Sequence, residues 1–174
     1  MMRFRGWILL GAVLCMAPAC GEGGATSDEE QAVSIDQRSF RLGSIAVFAE
    51  MVDAGVKQLG LSAPMLPAEM DALEEEARRI AAEHGVELYR ETDFLVTDLF
   101  SSELTDGLDV LVITSAARLQ EYLDLKAAKE ELVSSGAYEG EARLEIARRF
   151  GGLLSYSNEK IAALLEAGDS RENR

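Results

Sequence analysis

Pro67 opens the most periodic stretch of the chain, and that stretch constrains the fold more than any other. From Pro67 to about His84, Met70, Leu73, Ala77 and Ile80 recur at three- and four-residue spacing, which predicts an amphipathic helix closed by Gly85. Glu74/Arg78 and Glu75/Arg79 are placed to pair across one turn on its outer face. Short apolar runs lie on both sides, residues 56–62 and 86–90 (VELYR). Strand, helix, strand is the βαβ pattern, in which the two strands are expected to pair in parallel. Such a sheet must be covered by helices, so the fold class is α/β.

The flanking segments extend this unit. A first helix is expected over residues 40–54, with Ile45, Phe48, Ala49 and Val52 on its inner face and Gly55 as its stop. After VELYR, Glu91-Thr92-Asp93 lacks Gly and Pro, so residues 86–100 read either as one long bent strand or as two strands turning at these polar residues. Usual strand length favours the turn. Residues 94–100 (FLVTDLF) would then form a hairpin with residues 109–114 across the polar loop 101–107. Beyond Ser115 the pattern is helical, over residues 116–134, 139–154 and 158–167, with Gly136, Gly151-Gly152 and Gly168 as punctuation. Leu119, Leu123, Ile146, Phe150, Leu153, Ile161, Leu164 and Leu165 supply the apolar faces. The expected architecture is a small mixed sheet of three to four strands with a βαβ unit, covered by helices, and a helical C-terminal third.

Composition excludes several classes of function. The 174 residues are 48% hydrophobic, enough for one folded domain. A formal net charge of -14 would repel the nucleic-acid phosphates that a binder must neutralise, and the last helix sets Lys160 against Glu159 and Glu166. Nucleic acid is therefore not an expected partner. Two cysteines and one histidine leave too few soft ligands for a structural zinc site or a disulfide framework. The chain has no glycine-rich phosphate loop, no G-x-S-x-G elbow and no H-E-x-x-H, so neither a metal nor a cofactor is expected.

The first residues form a three-part leader: basic Arg3 and Arg5, an apolar run over residues 6–16, then Ala17-Pro18-Ala19-Cys20. The run is shorter than the roughly 20 residues that a permanent membrane helix needs. This segment resembles the signal peptide of bacterial lipoproteins, whose lipobox ends in a cysteine that becomes the diacylated first residue of the mature chain. The resemblance covers residues 1–20 and implies lipidation at Cys20. Gly21 after the cysteine, rather than Asp, implies the outer membrane by the family's sorting rule. Ala17-Pro18-Ala19 is also an A-x-A site for signal peptidase, and that route cuts the same bond. Either cleavage discards Cys15 and leaves Cys20 as the only thiol. It also removes Arg3 and Arg5 but no acid, taking the net charge from -14 to -16. So acidic a domain is held at a membrane by an anchor, not by a basic patch. Residues 1–19 are thus read as signal peptide, 20–38 as a flexible acidic tether, and 39–174 as a single α/β domain.

Individual polar residues offer few chemical constellations. His84 falls on the apolar stripe just before a helix stop, where packing against the helix C-terminal dipole competes with a role as general base. Asp98 shares a strand face with Phe94, Val96 and Phe100, so its carboxylate needs a buried cation, a function or a local bend that exposes it. Glu91 and Asp93 read as solvated turn acids. Thr114 closes the strand DVLVIT, and Ser115 is placed to cap the helix after it, or to help its free N–H groups bind an anion.

The leading expectation is an envelope-anchored lipoprotein with a non-catalytic binding or interaction domain, whose partner is a protein or small ligand of the cell envelope. The alternative is a small-ligand-binding protein or enzyme that uses the strand ends near Ser62, Glu91 and Ser115, with Asp93 and Thr114 nearby and Asp98 as its acid. It requires all three strands to point the same way, so that their ends converge on one edge.

Overall fold

A computed structural model describes residues 36–100 and 105–172, with side chains through residue 167. The leader, Cys20 and the tether as far as residue 35 lie outside the described residues, as does the first half of the loop 101–107. In chain order the elements are α1 (Gln37–Asp53), β1 (Leu59–Leu61), α2 (Pro67–Asp71), α3 (Glu74–Glu83), β2 (Glu87–Glu91), β3 (Val110–Thr114), α4 (Ala116–Ser134), α5 (Gly140–Leu153) and α6 (Asn158–Glu172). This is an α/β fold with a small sheet and a helical C-terminal third, as the sequence implies.

The sheet order is β1-β3-β2, and both pairings are antiparallel. The βαβ unit is therefore present in split form. β1 and β2 run in the same direction, but β3 lies between them, and the expected direct parallel pairing does not occur. The reason is in the side chains. All five residues of β3 are buried, whereas in β2 only Leu88 and Glu91 are. A strand apolar throughout belongs in the centre, with both faces covered.

Helices cover both faces. On one, α1, α2 and α3 pack Leu42, Ile45, Ala49, Met70, Leu73 and Ala77 against Leu88, Leu111 and Ile113. On the other, α4, α5 and α6 pack Tyr122, Leu125, Ile146, Phe150 and Ile161 against Leu59 and Val112. α1 approaches β1 closely: a Cβ on Gly60 would lie 2.9 Å from the Phe48 side chain.

Several boundaries differ from expectation for local reasons. α1 starts three residues early because the Asp36 carboxylate accepts from the Ser39 N–H at 3.1 Å, and Arg38 reaches Glu76 at 2.7 Å; residues 36–38 thus belong to the domain rather than to the tether. The expected helix over 67–84 breaks at Ala72-Leu73 into α2 and α3. Leu73 leaves the helical conformation while its side chain is buried, and Glu74, Glu75 and Glu76 then begin a new helix, where acids suit the positive end of the dipole. Arg78 pairs with Glu74 as expected, but Arg79 pairs with Glu76 and Glu83, not Glu75.

Residues 94–100 are not a strand. β2 ends at Glu91 and the chain bends at residues 92–93, so the turn is present, but the segment after it is irregular cover over α5. Phe94, Phe100 and Phe150 form a mutual edge-to-face cluster with centroids 5.7 to 6.3 Å apart. These contacts, rather than a ladder to β3, hold the segment, and β3 pairs with β2 instead. Gly151 and Gly152 lie inside α5. The stop after it is Ser155, which adopts a positive φ of 62°. α6 continues past residue 167 to Glu172, through Gly168 and Arg171.

Candidate functional site

The reversed direction of β3 separates the residues of the expected strand-end site. Glu91 lies opposite Val110, and the Ser62 N–H donates to the Leu111 carbonyl, so both sit at the start of β3. Thr114 lies opposite Leu59 and Glu87, at the other edge. Ser115 goes with Thr114. The three strand ends do not converge, which corrects the geometry that the ligand-site reading needed.

Each of these residues has an internal partner. Ser62 Oγ accepts from the Leu111 N–H at 2.9 Å and donates to the Ala63 carbonyl at 3.0 Å, continuing the β1–β3 contact past the strand end. Thr114 is buried and its hydroxyl donates to the Gln58 carbonyl at 2.6 Å, closing the other end of the same pairing. Ser115 is the N-cap of α4, its hydroxyl accepting from the Arg118 N–H at 3.4 Å. His84 caps α3 at the opposite end of β2 from Glu91. It is half-buried, with Nδ1 4.0 Å from the Asp53 carboxylate. Asp98 accepts from Arg143 through Nε at 2.7 Å and also through Nη2, an ion pair joining the irregular segment to α5. Asp98 thus has the arginine partner that one of its readings required.

Glu91 is the residue that the sequence misplaces most. Far from being a solvated turn acid, it is only 1% exposed, and it is the centre of a polar cluster between β2 and α4. Tyr122 Oη donates to one carboxylate oxygen at 2.9 Å, Lys126 Nζ donates to both at 2.9 Å, and the Asp93 N–H donates to Oε1 at 2.9 Å. Lys126 also donates to the Asp93 carbonyl. Burial, then the Glu91 charge and its hydrogen bond, push the Tyr122 hydroxyl well above its usual value. Asp93 itself keeps an exposed side chain, in line with the turn reading. Tyr122 and Lys126 stand four residues apart on α4, the spacing that puts them on one face. That spacing was visible in the sequence, but nothing there linked it to an acid 31 residues earlier.

A second charged cluster has no local signature in the sequence. Arg90, on the other face of β2, donates to Asp109 at 2.7 Å, Asp71 at 2.6 Å, Glu74 at 2.8 Å and the Pro67 carbonyl at 3.2 Å. The Asp71, Asp109 and Glu74 carboxylates raise its pKa further. Asp109 is buried, and its backbone bridges Met65, so this arginine ties α2 and α3 to the β2–β3 edge.

Beside the Glu91 cluster, α4 and residues 93–95 enclose an open cleft of about 290 Å³, lined by Asp93, Phe94, Leu95, Lys126, Lys129, Glu130, Val133 and Ser134. Lys129 Nζ donates to the Val96 carbonyl at 2.7 Å and lies 5.4 Å from the Tyr138 ring centroid. Burial, reinforced by the neighbouring Lys126 charge, lowers the pKa of its amine. Among the described residues no group of His, Cys, Asp and Glu is arranged to hold a metal ion, and no helix is long and apolar enough to cross a membrane. No protein-family model matches the chain, and no curated protein or solved structure matches it either.

Proposed function

We propose that the chain is an envelope lipoprotein, in which lipid on Cys20 and a short acidic tether hold a non-catalytic binding or interaction domain at the outer membrane. The observation that carries the second half of this reading is the commitment of Glu91. A general acid or ligand-binding carboxylate needs a free lone pair facing substrate, whereas this one receives Tyr122, Lys126 and the Asp93 N–H from within the fold. Ser62 and Thr114 are bonded within the sheet, Asp98 is paired with Arg143, and Ser115 is an exposed helix cap. The first half is supported by the three-part leader ending in Cys20 and by a net charge that opposes electrostatic attachment to anionic lipid.

Cell fractionation tests the reading. The wild-type protein is expected in the membrane fraction, and Cys20→Ser in the soluble fraction; equal partition of the two would refute it. The alternative, a small-ligand-binding domain, moves from the strand ends to the α4 cleft, because Lys129 offers a half-buried ammonium beside apolar Phe94 and Leu95. A saturable thermal shift by a small carboxylate, lost in Lys129→Met, would favour that alternative.

A further inference from the structure

The centre of the outward face of α1 lacks the charge that a surface helix normally carries. Leu42, Ile45, Ala49 and Val52 are buried on its inner side. Opposite them, Phe40, Gly43, Val47 and Ala54 recur at intervals of three, four and seven, all exposed, with Ser44 and Met51 half-buried alongside. Glu50 flanks this stripe at one edge, no charged residue falls within it, and Phe40 and Val47 are 60% and 53% exposed. α3, its neighbour, instead turns Glu75, Arg79 and Glu83 outward. A helix apolar on both sides is normally covered on both sides.

We propose that this face of α1 rests on the lipid bilayer to which the chain is anchored, laying the domain on the membrane through Phe40 and Val47. The inference rests on the proposed anchor at Cys20. The chain between that cysteine and the start of α1 selects the occupant. Asp36 stands sixteen residues after Cys20, a reach of at most about 55 Å. The tether ends at the N-cap of α1, the end of the helix that carries Phe40. Anchoring at that distance gives the helix face a millimolar-scale effective concentration at the lipid surface, so two exposed apolar side chains and an uncharged stripe suffice for contact. A second copy of the chain has no such advantage and carries the same strong negative charge. That charge also specifies the lipid: the contact suits zwitterionic headgroups and weakens as anionic lipid is added.

Tryptophan fluorescence tests this on the mature chain, which lacks Trp once Trp7 is removed with the leader. Coupling the Cys20 thiol to a maleimide lipid in phosphatidylcholine vesicles supplies the tether without relying on cellular lipidation. Val47→Trp reports on the α1 face, and Val133→Trp, an exposed position on α4 across the sheet, is the control. Brominated phosphatidylcholine should quench Val47→Trp about twofold more than Val133→Trp. The difference should vanish when Phe40→Asp is added and shrink as phosphatidylglycerol is mixed in at low salt. Equal quenching at the two positions overturns the proposal. So does a blue-shifted, unquenched Val47→Trp in a domain that sediments as a dimer, since a second copy would then cover the face. Quenching reads the face and the mass of cellular Cys20 reads the anchor, so the two can fail separately.

Discussion

Glu91, Tyr122 and Lys126 illustrate what a buried carboxylate demands of its surroundings. Lys126→Met would remove the cation from a carboxyl group that is 1% exposed, and is expected to cost about 3 to 5 kcal/mol in urea melts. The double variant Lys126→Met/Glu91→Leu should recover much of that loss, because no charge is then left uncompensated. Asp98 sits in a more open pair, since the Arg143 side chain is 36% exposed. Asp98→Asn should therefore cost only about 1 kcal/mol, well short of the effect of stranding a buried cation. Tyr122 sets a pH dependence. Its hydroxyl pKa is raised above 10.0 by burial and by Glu91. Below about pH 10 both folded and unfolded chains keep the proton and the contribution is complete. Above it the unfolded chain ionises first, so stability falls. The drop in Tm between about pH 9 and about pH 11 should be smaller in Tyr122→Phe than in wild type.

At the scale of elements, local pattern decided helices well and strand partners poorly. Ser115 as N-cap and Gly136 with its positive φ bound α4 where the sequence placed it, because capping is chemistry within one turn. FLVTDLF reads as a strand with Phe94, Val96, Asp98 and Phe100 on one face, but the buried residues are the other set, Leu95, Thr97 and Leu99, and Leu95 and Leu99 join the core around Phe150. A run of strand-forming residues fixes neither which side chains point inward nor whether a ladder is available. The central place of β3 was legible in the unbroken apolar run of DVLVIT, yet a βαβ reading gives no account of a third strand inserted between its two. The glycine pair in α5 offers a direct check. A Cβ on Gly151 would lie 2.7 Å from Ile161, whereas one on Gly152 meets nothing within 4 Å. Gly151→Ala should destabilise by about 1–3 kcal/mol by pushing α6 away. Gly152→Ala should stabilise by about 0.5–1 kcal/mol by restricting the unfolded chain. Thermal melts of the two variants should move in opposite directions.

At the scale of the whole molecule, the acidic surface, the self-satisfied polar interior and the uncharged outer stripe of α1 bear on the same account. The candidate site was the least legible part of the sequence. Its residues were polar groups at strand ends, and such groups are needed both to line a pocket and to finish a sheet. Only long-range partners distinguish the two uses: Leu111 for Ser62, Gln58 for Thr114, Arg143 for Asp98. The proposed leader rests on sequence order alone, on basic, apolar and small-residue parts that follow one another along the chain. The most direct test of the account is therefore the mass of the mature N-terminal peptide isolated from membranes. A peptide beginning at Cys20 and carrying diacylglycerol on its sulfur is the expected result. A free thiol at Cys20, or a peptide that retains the leader, would contradict the account.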